Sequence, residues 1–322
     1  MALLCAAVGA LACGSKDPTE LTKAEQLGLY YENALWYIQL GDLDRAQFQA
    51  QKGLELDPGN ERMSLIMART NVMRGTAESI QAALQIFEQR PDLPDYRWQM
   101  TYGAALERKG VLYDEAARAV REGQRATKAA DRAARSEELL TEARGFWLEA
   151  RKRFERALQK RPGEIEAMNG LVRTNALLGE FGESVRWSEA LIEEIHAMQA
   201  LRRTQLEAPD LTADREAKLR EAYRVDRSFE VKTRLHAVTL LRRISRQSDA
   251  LGHIEEVIAL EPELPQAYSI RGQLQMEVGE FVKARASLQR FLELTDLPVE
   301  DPQIRRTFDL QDECEKRLRA NG

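Results

Sequence analysis

A repeated stop signal constrains this chain more than any other feature of its sequence. Proline closes apolar-striped helical segments at Pro58, Pro162, Pro262 and Pro298. The intervals are 104, 100 and 36 residues, each near a multiple of a ~34-residue unit. Residues 30–58 show what one unit contains. Tyr30, Ala34 and Tyr37 fall at i, i+4 and i+7 on a first helix, and Leu43, Ala46, Ala50 and Leu54 stripe a second. Gly41 hinges the two, and Asp57-Pro58 ends the second. A helix pair this short cannot bury both apolar faces alone and needs copies of itself on either side. Hydrophobic residues at 43% suffice for a continuous core, and charged residues at 31% suit helices with one solvated face. No run of alternating Val, Ile or Thr suggests a sheet. The chain is expected to be all-α.

The copies can be followed along the sequence. Gly145, Trp147, Ala150, Phe154, Ala157 and Pro162 repeat the second-helix half, as do Gly279, Phe281, Ala284, Leu288, Phe291 and Pro298. Weaker copies occupy 61–94, 95–130, 163–207 and 231–262, with turns predicted at Gly75, Gly110 and Gly179, and 265–298 is the last clear copy, opened by Tyr268 and Gly272. Residues 183–207 read as one long helix ended by Ala208-Pro209. A second starts at Thr212 and runs to about Phe229.

The spacing of Tyr30, Asn33, Ala34, Tyr37, Gly41, Ala46 and Pro58 is similar to the tetratricopeptide repeat. Asn33 and Ala50 depart from that pattern, which has Leu and Phe in those places. The resemblance implies a right-handed α-solenoid of about seven helix-turn-helix units over residues 24–300, with irregular long helices near 112–161 and 183–229. A cap helix is expected over 301–322. Ile304, Phe308 and Leu318 would face the last unit, and Arg305, Arg306, Lys316 and Arg319 would face solvent. The resemblance also implies a groove lined by first helices, suited to a protein or peptide partner. Its candidate lining is Tyr31, Leu35, Ile38 and Gln39 in the first copy, Arg69 and Met73 in the second, and Arg97, Met100 and Arg108 in the third. Asn169 and Arg173, then Arg242 and Arg243, continue it. Tyr31 and Leu35 stand where the family's carboxylate clamp would need Lys and Asn, so chaperone-tail binding is not expected.

Residues 1–15, MALLCAAVGALACGS, form a short apolar run ending in small residues. A bilayer-spanning helix needs about 20 apolar residues. The run fits a signal segment over 1–12. Ala10-Leu11-Ala12-Cys13 resembles a bacterial lipoprotein box, with Ala10 in the place of the usual Leu. That resemblance implies lipidation at Cys13, a tether over 13–23 and a location in the bacterial cell envelope, on the periplasmic side of a membrane. The alternative is a plain apolar leader on a cytoplasmic adaptor.

The formal net charge of -5 argues against a general nucleic-acid binder, because phosphate neutralisation needs a basic face. The charge is uneven: residues 114–161 and 201–246 together carry +9 and the rest -14. Ion pairs on solvated helix faces explain such runs more simply than a basic patch. Cys5, Cys13 and Cys314 form no metal-ligand or disulfide spacing. His196, His236 and His253 have no carboxylate or thiol at ligand spacing, and no glycine-rich phosphate loop is present. Adjacent carboxylates such as Glu193-Glu194 point to different helix faces. No enzymatic activity, cofactor, metal or small-molecule substrate is expected. The sequence reads as an interaction scaffold, an assembly or accessory factor of the envelope.

Overall fold

The computed structural model describes residues 21–123 and 129–321. Residues 1–12, Cys13 and most of the expected tether lie outside them. Within them the chain forms thirteen α-helices and no strand, in two compact units that divide between Lys160 and Arg161. The first unit holds α1 (Lys23–Gln39), α2 (Leu43–Leu56), α3 (Glu61–Arg74), α4 (Ala77–Glu88), α5 (Tyr96–Glu122) and α6 (Ala129–Lys160). The second holds α7 (Ile165–Leu178), α8 (Phe181–Leu206), α9 (Ala213–Arg243), α10 (Gln247–Leu260), α11 (Pro265–Glu277), α12 (Phe281–Leu294) and α13 (Pro302–Asn321). Each unit is a stack of antiparallel helix pairs, in which consecutive helices pack together.

Local chemistry sets the helix ends. Thr22 and Glu25 form a reciprocal capping box at the start of α1. Asp42, Asn60, Thr76, Asp95 and Thr212 each accept a backbone N–H three residues on and so begin α2, α3, α4, α5 and α9. Four of the turns between paired helices put glycine in the left-handed region: Gly41 at φ 75°, Gly75 at 69°, Gly179 at 80° and Gly279 at 80°. The α9–α10 turn has the same hydrogen bonds as its counterpart at Gly179. Ser245 N–H donates to the Arg242 carbonyl and Arg246 N–H to that of Leu241, yet a serine sits there at φ 57°.

The pairs bury the stripes that the sequence marks. In the first unit Ala34, Ile38, Ala46, Ala50, Ile66 and Met67 close the α1–α3 core. Farther on, Phe87 stacks on Tyr102 at 4.9 Å and meets Trp98 edge-on at 5.0 Å. In the second unit Val185, Val231, Val238, Leu241, Ile254 and Leu274 belong to one core.

The long helices differ from expectation. The predicted turn at Gly110 does not exist, because α5 runs through it for 27 residues and pairs with the 32-residue α6. Gly110 marks close approach instead: a Cβ there would collide with the Trp147 ring and stand 3.0 Å from the Ala143 carbonyl oxygen. The expected stop near Phe229 is also absent. With no Gly or Pro between 213 and 243, α9 continues for 31 residues. Six helix pairs and α13 therefore replace about seven units, three pairs in each half.

The last helix is also turned from its expected face. Ile304 packs against Tyr268 and Phe291 as anticipated. Cys314, fully buried against Ala284 and Leu288, takes the inward place further along, while Phe308 is 46% exposed. Thr307 is buried beside it. Positions 304, 307 and 314 follow the helical period of the buried face, and 308 lies at its edge.

Candidate partner-binding surface

The expected groove residues all sit on first helices, in α1, α3, α5, α7 and α9, but they are not equally available. Ile38 is buried at 8% exposure in the α1–α3 core, so its side chain is spent on packing. Tyr31 and Leu35 are half-buried against the same core, and the Arg62 guanidinium lies 5.8 Å from the Tyr31 ring. Gln39, Arg69 and Met73 are exposed. Arg97 is exposed and donates to the Tyr96 hydroxyl at 2.9 Å. Met100 is half-buried, and half-buried Arg108 pairs with Glu115 at 3.6 Å. Asn169 and Arg173 are half-buried on α7.

The second unit brings the expected residues together with others. Arg242 of α9 pairs with Glu277 of α11, tying the two first helices. Arg243 stacks on Phe181, 5.1 Å from the ring centroid. A groove between α9 and α11 is lined by Val238, Thr239, Arg242, Arg243 and Ile270. Ile270 also lines the next groove, between α11 and α13, with Ser269, Gln273, Arg306 and Leu310. The two grooves share Ile270 and between them touch three helices, α9, α11 and α13. Arg306, expected to face solvent on the cap helix, lines the second of them. Ile270 is partly buried at the edge of the core that holds Ala267 and Leu274.

On α9, seven residues before Arg243, lies His236. Burial lowers its pKa below the ordinary 6.5, and the nearby charges of Arg173 and Arg243 lower it further. Its Nε2 is buried and has no hydrogen-bond partner among the described residues.

A polar network in the same unit was not foreseen, because its members are distant in sequence. Glu230, 2% exposed on α9, accepts from Arg234 Nε at 2.8 Å and Gln199 Nε2 at 3.0 Å, and lies 2.8 Å from His196 Nε2. His196 therefore has the carboxylate neighbour that sequence spacing did not supply. One turn away Asp226, 6% exposed, pairs with Arg202. Burial pushes the Glu230 carboxyl up, but hydrogen bonds from His196, Arg234 and Gln199 outweigh it and hold the pKa below the ordinary 4.5. Burial and the Arg234 charge lower the His253 pKa. With both oxygens of Glu230 engaged, this network braces α8 against α9. Among the described residues no group of three His, Cys, Asp or Glu side chains could hold a metal ion, and no helix is long and apolar enough to cross a membrane.

No family model and no curated protein matches the sequence. Several solved structures are similar to it. One is a nuclear import adaptor, the hypoxic regulator of sterol synthesis Nro1, at 12% identity and a TM-score of 0.48, covering 91% of this chain and 94% of that one. Another is Acl4, the assembly chaperone of RpL4, at 18% identity and a TM-score of 0.46, covering 94% and 87%. A tetratricopeptide repeat protein from Parabacteroides merdae has 14% identity and a TM-score of 0.32, covering 89% and 99%.

Proposed function

We propose that this chain is a protein-binding scaffold, and that a path over α9, α11 and α13 receives an extended segment of its partner. The observation that carries this reading is Ile270, shared by both grooves, with apolar contacts and side-chain amides spaced along them. An extended peptide needs side-chain pockets at intervals and polar groups for its backbone, and such a face provides both. Arg243 supplies a cation held in place by Phe181. The test is capture of the partner by crosslinking in the native cell, repeated with Arg243→Glu. Loss of the crosslinked species supports the reading. Undiminished capture by Arg243→Glu and by Ile270→Glu together would remove this face from consideration.

The second part of the proposal is location. Cys13 follows Ala10-Leu11-Ala12 and precedes α1 by ten residues. A fully extended ten-residue tether reaches at most ~35 Å, so a lipid on Cys13 would hold the first helix pair near a membrane of the bacterial envelope. Each buried CH₂ of the anchor contributes about 0.8 kcal/mol to attachment. Membrane fractionation of the wild-type protein and of Cys13→Ser separates this reading from that of a cytoplasmic adaptor. A variant that still sediments with membranes would refute the anchor.

A further inference from the structure

The first unit contains a cavity unrelated to the peptide path, made where the long pair α5–α6 meets the start of α4. Its volume is about 350 Å³, within the range of small-molecule sites. Ile80 of α4, Leu112 of α5 and Leu139 of α6 give it an apolar floor; Ile80 and Leu139 are 1% and 7% exposed. Tyr113 lines one side, its ring 5.2 Å from that of Phe146. Two cations stand in the wall, Lys109 and Arg135, and the wall contains no Asp or Glu. Arg135 is already paired with Glu138.

Lys109 differs from the many cations of this protein that have carboxylate partners. It is half-buried, its Nζ lies 3.2 Å from the Gln81 side-chain oxygen, and it sits 4.6 Å from the Phe146 ring centroid. Among the described residues it forms no ion pair. The amide and the ring fix an ammonium beside an apolar floor without neutralising it, which is the arrangement that recognises an anion attached to an apolar body. This site depends on the irregular length of α5 and α6, because Lys109 immediately precedes Gly110, where a regular pair would have turned, and Leu112 and Tyr113 follow it on the same unbroken helix.

We propose that this cavity binds a free monocarboxylate on a short apolar chain or ring, with its carboxylate on Lys109 and its apolar body over Ile80, Leu112 and Leu139. The test is a titration of the full chain with octanoate, read on the methyl signals of those three residues by NMR. Octylamine has the same apolar body with the opposite charge, and a tetrapeptide free acid ending in leucine represents the terminus of a protein. Octanoate is expected to shift the three methyl groups saturably and to bind at least tenfold more tightly than either competitor. Lys109→Met should weaken octanoate at least tenfold, the effect of losing a charge-assisted hydrogen bond. Ala116→Trp, which fills the mouth from an exposed position, should abolish binding without touching Lys109. Equal binding of octanoate and octylamine, no saturable shift, or retention of octanoate by either variant would overturn the proposal. Tighter binding of the tetrapeptide would overturn it too, and would assign the cavity to a polypeptide terminus.

Discussion

At the residue scale, the left-handed turns separate what composition announces from what it conceals. Glycine at 41, 75, 179 and 279 can be read directly as a hinge, because only glycine takes positive φ without a steric penalty. Ser245 occupies the equivalent place without that signal. A left-handed L-residue costs about 1–2 kcal/mol, partly offset by the lower unfolded-state entropy of serine. Ser245→Gly is therefore expected to stabilise the protein by about 0.5–1 kcal/mol, and Gly279→Ala to destabilise it by about 1–2 kcal/mol, measured by urea denaturation. The converse error is Gly110, where glycine permits helix–helix contact and does not end a helix. Gly110→Ala should cost about 1–3 kcal/mol through overpacking against Trp147. A neutral result would mean that the α5–α6 contact is looser than described. Cys314 is fully buried, and burial pushes its thiol pKa up, so alkylation mapped by mass spectrometry should reach it only in denaturant.

At the element scale, the buried histidines of α9 and α10 and the Glu230 network make the second unit sensitive to acid. The folded pKa values of His236 and His253 are below the ordinary 6.5, so the unfolded chain binds their protons first as pH falls. Their stabilising contribution is full above pH 6.5 and is lost as pH falls through the lowered folded values. Glu230 follows the same sign lower down. Its contribution is present above 4.5 and disappears as its depressed folded pKa is passed. Hydrogen-exchange protection factors, corrected for the intrinsic pH dependence of exchange, should therefore fall in α8–α10 between about pH 7 and pH 5 while those of α1–α3 change little. His236→Gln with His253→Gln should remove most of that slope. Arg234→Met leaves the buried Glu230 charge without its guanidinium partner and should cost about 3–5 kcal/mol; adding Glu230→Gln should recover much of the loss. Equal loss in the single and double variants would show that Arg234 acts through packing alone.

At the scale of the whole molecule, the uneven charge resolves into short-range pairs along helices, such as Arg118–Asp114, Lys218–Asp214 and Arg224–Glu221. Exposed pairs of this kind contribute little each. Raising NaCl from about 0.05 to 0.5 M should shift Tm by no more than about 2 °C; a larger fall would assign real stability to these pairs. The sequence by itself determined that the chain is helical and paired, where most pairs turn, and which stripes are buried. These follow from periodicity, caps and glycine hinges, all of which act over a few residues. It also placed Arg242 and Arg243 on a first helix. Only the tertiary structure decided that α5 and α9 run on past their expected ends, because burial against a neighbouring helix outweighs a weak local stop. Tertiary contact alone brought Glu230 to His196, Ile270 to Arg306 and Lys109 to Phe146, pairs separated by 34 or more residues. Such neighbours leave no local signature, since their spacing reflects how helices pack and not how any one of them winds.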